Sequence, residues 1–180
     1  MTNALEKSVT GWSLAGSRLR PSQLRLPPQK FGPMLSRMTS ETEHRLQHPR
    51  VGCGAFILNS RQDLLLIRRA SDPEAGCWSL PGGKVDLYER AEDAARREIF
   101  EELGVDICLS RLLCVAELID EATGVHFVNP VYLAEITAGQ PAIREPEKMS
   151  GLGWFAFGEL PEGLTVSTRA ALRAYLDVVA

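Results

Sequence analysis

Residues 47–180 predict a mixed α/β domain, a β-rich middle flanked by two helices. Three observations carry that prediction. Short apolar runs alternate with turn residues, two helical segments bracket most of them, and 44% hydrophobic content in 180 residues suffices for a proper core. Val51 to Leu58 and Asp63 to Arg69 are apolar runs split by Asn59-Ser60-Arg61-Gln62, which predicts a hairpin. From Glu89 to Leu103 the chain is rich in Ala, Glu, Arg and Leu, lacks Gly and Pro, and stops at Gly104, so it should be helical. Strands are expected at Leu113 to Ile119 and Val125 to Ile136, around a turn at Asp120 to Gly124, with a short one at Gly153 to Phe157. Ser167 or Thr168 should cap a closing amphipathic helix that runs through Leu176.

Residues 1–46 read differently. Up to residue 40 they hold Pro21, Pro27, Pro28 and Pro33, five basic residues between Arg18 and Arg37, a single acid (Glu6) and no sustained periodicity. That composition predicts a flexible extension. It also shares Arg-rich, Ser-containing, acid-poor traits with organellar presequences. Met34 and Met38 offer later start sites just before the folded part.

Charge and cysteine usage exclude several classes. A net charge of −3 and a pI near 5.7 give no reason to expect a nucleic-acid partner, while small phosphorylated molecules bound through metal remain compatible. No apolar run approaches the ~18 residues a membrane span needs. Cys53, Cys77, Cys108 and Cys114 show neither CxxC spacing nor His companions, and read as buried reduced thiols of a cytoplasmic protein.

The chemistry concentrates between Trp78 and Val105. At about 100° per residue, Glu98, Glu101 and Glu102 fall on one side of the expected helix, with Ala91, Ala94 and Ala95 one to two turns earlier on that side. A run of acids is often only a solvated face. Here the carboxylates share their side with small apolar residues, so that side should meet other protein. Arg90, Arg96 and Arg97 are expected to point elsewhere, leaving like charges together without a cation. A hard divalent ion with oxygen ligands, Mg²⁺ or Mn²⁺, would supply it. Upstream, Pro81-Gly82-Gly83-Lys84 is a loop whose backbone can come close to a ligand. Gly82 can offer a carbonyl to the metal and Lys84 a positive charge to a phosphate.

Gly83, Glu89, Arg97-Glu98, Ile99, Glu101-Glu102, Gly104 and Val105 stand at the spacing G-x5-E-x7-R-E-U-x-E-E-x-G-U. This resembles the Nudix box, with every defined position filled, a coincidence of about 10⁻⁹ per starting point at average residue usage. The resemblance covers roughly residues 50–178. It implies an α/β/α sandwich with a mixed central sheet, and hydrolysis by water of a nucleoside diphosphate linked to another group. It further implies a small nucleotide as substrate, and is compatible with a homodimer. Carried over by position, Glu98 is the candidate base and a metal ligand, and Glu101 and Glu102 are catalytic metal ligands beside the Gly82 carbonyl. Which of the three is the base is left open. Glu89 and Arg97 match the family's structural ion pair.

Beyond the box, Glu145-Pro146-Glu147-Lys148 followed after five residues by Trp154 resembles a MutT-like branch that sanitises nucleoside triphosphates. Relatives bring a further carboxylate to the metal from this region, which points to Glu147 over Glu145. His126 is similar to a strand position that lines the substrate pocket in that branch, whereas Trp78 reads as core. The ADP-ribose branch places a proline near what is Asp120 here, and only Pro130 is available. The expectation is a nucleoside triphosphate pyrophosphohydrolase releasing a nucleoside monophosphate and pyrophosphate. The alternative is an ADP-ribose or nucleotide-sugar pyrophosphatase. A non-catalytic nucleotide-binding module is disfavoured because all box carboxylates are kept.

Overall fold

The long strand pair β5 (Asp106–Asp120) and β6 (Val125–Ala138) forms the spine of the domain, in a computed structural model that describes residues 48–179. The expected extension at 1–46 lies outside the described residues. On the other side of β6 run β1 (Arg50–Val51) and β2 (Gly54–Ile57), both parallel to it, with Arg50 opposite Phe127 and Ile57 opposite Ala134. A second sheet has the order β4 (Trp78–Ser79), β3 (Leu64–Arg69), β7 (Met149–Phe155), all antiparallel. Helix α1 (Ala91–Leu103) covers one layer and α2 (Val166–Val179) the other.

The two cores explain this layering. Ile99 and Leu103 of α1 pack with Ala55, Ile57, Leu65, Ile67 and Ala134. Ala171, Leu172 and Tyr175 of α2 pack with Phe56, Leu64, Leu66, Ala116 and Val131. Successive residues of β2 and β3 therefore enter opposite cores, as a period of two requires when both faces are buried. The arrangement is the α/β/α sandwich with a mixed sheet.

Several elements differ from the sequence reading. The runs on either side of Asn59–Gln62 do not form a hairpin in one sheet. Only Leu58 and Leu64 bridge, and the strands then part into separate sheets, because each is buried on both faces and takes other neighbours. β5 begins at Asp106 and accommodates irregularities at Asp106/Ile107, Leu109/Arg111 and Leu112/Cys114, which hide the alternation of its first half from the sequence. β7 starts at Met149, ahead of the expected Gly153. The cap of α2 is Thr165, whose hydroxyl accepts from Thr168 N–H at 3.3 Å, in place of Ser167 or Thr168. All four cysteines are free, but only Cys53 is buried, and Cys108 on β5 is exposed. No helix among the described residues is long and apolar enough to cross a membrane.

Candidate active site

The loop Trp78–Lys84 is tethered on three sides. Ala55 N–H donates to the Pro81 carbonyl at 3.0 Å and Cys53 N–H to the Gly83 carbonyl at 2.8 Å, so the loop runs along the chain between β1 and β2. Leu80 N–H donates to the hydroxyl of buried Thr168 on α2 at 3.0 Å. Gly82 N–H donates to Oε2 of Glu102 on α1 at 3.1 Å. The glycines are required here. Gly82 has φ +147°, and a Cβ on it would lie 2.2 Å from the Cys53 carbonyl oxygen. A Cβ on Gly83 would lie 2.2 Å from the Glu98 carboxyl carbon. The loop can press on the acidic side of α1 only because neither residue has a side chain.

The helix begins at Ala91, with Glu89 outside it. Glu89 accepts Asp86 N–H at 3.0 Å and takes both Nε and Nη2 of Arg97 at 2.8 Å. The guanidinium holds the Glu89 carboxyl down at about 2. Arg97 does not point away from the acidic cluster: its Nη1 also donates to Glu98 at 2.9 Å and Glu101 at 3.1 Å, and its Nη2 to the Lys84 carbonyl at 3.1 Å. A helical wheel treats side chains as spokes, but the long arginine stem bends along the helix and reaches residues one and four positions on.

The three box carboxylates are not equivalent. Glu98 and Glu102 are buried and border a cleft of about 490 Å³. Glu101 is about half exposed, at 49%, outside that cleft, on the side where Arg97 caps it. Burial pushes Glu102 up to about 7, helped by the charges of Glu98 and Glu145 and opposed by the Gly82 N–H. From the second acidic patch it is Glu145, not Glu147, whose charge reaches Glu102, while Glu147 is exposed. Its backbone explains this: Arg144 N–H donates to the Glu102 carbonyl at 2.9 Å and Ala142 N–H to that of Leu103 at 3.1 Å, strapping the segment across the end of α1. Lys148 Nζ lies 2.9 Å from Oε1 and 2.8 Å from the buried Oε2 of Glu145, pairing with both oxygens.

The donors suit a hard cation. Glu98, Glu102 and Glu145 offer only oxygen, and burial, with the charges of Glu98 and Glu145 added, raises Glu102. As the side chains stand, no three potential ligands converge among the described residues. Each carboxylate is instead engaged internally, Glu98 by Arg97, Glu102 by Gly82 N–H and Glu145 by Lys148.

The rest of the cleft carries both charges, with Asp72, Glu74 and Asp86 among its basic and aromatic residues. Arg50, Arg69, Lys84 and Lys148 border it, as do Phe127, Asn129 and Leu118. Arg50 lies over the Phe127 ring at 4.5 Å, and Asn129 donates to Ser167 Oγ at 3.4 Å. His126 is half-buried and does not border the cleft; on β6 it alternates with Phe127 and Asn129, which do. Strand periodicity fixes the alternation along β6 but not which of its faces meets the cleft. Trp78 packs edge-on against Phe155 at 4.9 Å, in the core.

The chain is similar to several known proteins. The chain is 39% identical over 110 residues to a Bacillus subtilis (strain 168) protein provisionally named 8-oxo-dGTP diphosphatase, a match covering 60% of this chain and 68% of that one. It is 34% identical over 93 residues to an ADP-ribose pyrophosphatase of Methanocaldococcus jannaschii, covering 52% of this chain and 54% of the relative. The match thus spans about half the length of that second relative. A crystal structure of a MutT NUDIX hydrolase from Burkholderia pseudomallei is 54% identical, covers 71% of this chain and 98% of its own, and superposes with a TM-score of 0.66. The NUDIX domain profile matches residues 48–175, and the chain belongs to the Nudix family of hydrolases acting on phosphoric anhydride bonds.

Proposed function

We propose that this protein hydrolyses nucleoside triphosphates to a nucleoside monophosphate and pyrophosphate, with Mg²⁺ or Mn²⁺ held by Glu98, Glu102 and Glu145 together with the Gly82 carbonyl. One observation carries the reading: two buried box carboxylates, Glu98 and Glu102, border the same cleft as four cationic side chains, Arg50, Arg69, Lys84 and Lys148, with Asp72, Glu74 and Asp86 also on its wall. Carboxylates alone would repel a polyphosphate, and cations alone would bind it without a site for metal. Nudix hydrolases generally use a divalent ion such as Mg²⁺. When bound, that ion neutralises anhydride oxygens and lowers the pKa of water. The protein's own residues do the rest. Glu98, pressed against Gly83 and oriented by Arg97, positions the attacking water and takes its proton. Lys84 and Arg69 draw phosphate oxygens into the cleft. Phe127, beneath Arg50, offers an apolar surface to the nucleoside.

The triphosphate choice is supported by the Glu145–Lys148 segment, by the missing proline near Asp120, and by likeness to the Bacillus subtilis protein. Likeness to the Methanocaldococcus jannaschii protein favours ADP-ribose as the second reading. The test is a panel of normal and oxidised triphosphates, ADP-ribose and nucleotide sugars with Mg²⁺, scored as phosphate after coupled phosphatase treatment. At least one triphosphate should show the highest kcat/KM, by a margin on the order of 1–3 kcal/mol. ADP-ribose or a nucleotide sugar ahead of every triphosphate would replace this substrate choice with the second reading.

A further inference from the structure

Lys148 borders the cleft together with the buried carboxylates Glu98 and Glu102. Its ammonium touches both oxygens of Glu145, at 2.9 and 2.8 Å, and its charge also acts on Glu98 and Glu102. The two partners are unequally placed. The Glu145 side chain is 25% exposed with Oε2 fully buried, whereas the Lys148 side chain is 51% exposed and borders the cleft.

The backbone beneath this pair is fixed. Lys148 N–H donates to the Glu145 carbonyl at 3.0 Å, the Lys148 carbonyl accepts Ala70 N–H at 2.9 Å, and the next residue, Met149, is buried at the start of β7. Any movement of the ammonium must come from its four-carbon stem. The arginines nearby are held more tightly, whereas Lys84 is exposed. Arg97 is gripped in bidentate fashion by Glu89, Arg69 donates Nε to the Pro73 carbonyl at 2.7 Å, and Arg50 lies over Phe127. Lysine is a point charge on a flexible stem, and a half-exposed ion pair contributes little, so the Lys148–Glu145 contact is easily exchanged.

Resting on the metal-dependent reading above, we infer that Lys148 is an exchangeable counter-ion for the site. In the metal-free protein it neutralises Glu145. When Glu145 turns to a divalent cation, the ammonium is released into the cleft and binds a phosphate oxygen of the substrate. One side chain thereby serves the empty and the loaded site in turn. A plain surface ion pair between residues three apart would give Lys148 neither role.

The experiment measures Mn²⁺ binding to substrate-free protein by electron paramagnetic resonance, and KM for dGTP and ADP-ribose at saturating Mg²⁺. Lys148→Met should bind Mn²⁺ about two- to fivefold more tightly, because a competitor for Glu145 is gone. Its KM should rise roughly tenfold, because a charged contact to phosphate is lost. In a Glu145→Gln background, which should itself weaken Mn²⁺ binding, Lys148→Met should give no gain. Unchanged or weaker Mn²⁺ binding by Lys148→Met, or an unchanged KM, overturns the assignment and leaves the metal reading intact if the native protein binds Mn²⁺. A native protein that binds no Mn²⁺ overturns both.

Discussion

Gly82 and Glu102, twenty positions apart, are joined by a single hydrogen bond of 3.1 Å from backbone N–H to Oε2. It ties the glycine loop to the acidic helix where both border the cleft. Close approach is the condition for it, so the adjoining glycine should tolerate no side chain. Gly83→Ala would drive a methyl group into the Glu98 carboxylate. We expect a fall in kcat of at least about tenfold, with a stability loss of about 1–3 kcal/mol by chemical denaturation. Native turnover in that variant would mean that Glu98 need not stay where it is.

The unequal surroundings of the three box glutamates predict unequal mutants. Glu98→Gln and Glu102→Gln, both on the cleft, should lower kcat by several powers of ten with little effect on folding. Glu101→Gln, outside the cleft, should lose markedly less. Chelator should abolish native activity and Mg²⁺ or Mn²⁺ restore it. Steady-state kinetics of the three variants at matched metal concentration would decide this, and an equal loss in all three would contradict the geometry.

Glu102 gives the metal-free protein a pH dependence of definite sign. Burial lifts this carboxyl from 4.5 to about 7 in the folded state, so the folded state favours its protonated form. Its stabilising contribution is complete below pH 4.5 and is lost as pH rises through about 7. Thermal denaturation in chelator, compared between native protein and Glu102→Gln at pH 5 and pH 8, isolates that contribution. The native protein should lose on the order of 1–3 kcal/mol relative to the variant across that interval. Parallel curves would refute it.

Among the described residues, the three hydrophobic clusters run from Cys53 to Tyr175, and the family match begins at residue 48. Deleting residues 1–46 should therefore leave the melting temperature nearly unchanged and turnover within about tenfold, roughly 1.4 kcal/mol of barrier. A truncated protein that does not fold would make the extension part of the domain.

The sequence by itself determined the family, the α/β class and the glycine-loop-to-acidic-helix pairing. Those features are local: the box occupies one continuous segment, and helix periodicity puts Glu98, Glu101 and Glu102 near one another whatever the rest of the chain does. Tertiary structure decided what the periodicity could not. It separated buried Glu98 and Glu102 from exposed Glu101, because the loop covers only part of the helix face. It brought Arg97 onto the cluster through side-chain reach. It brought the charge of Glu145 within reach of Glu102 and left Glu147 exposed, because backbone bonds to the end of α1 fix the register of that strap. And it placed Phe127 and Asn129 in the cleft where His126 was expected, since a one-residue shift along a strand exchanges its faces and only packing against a neighbour selects between them.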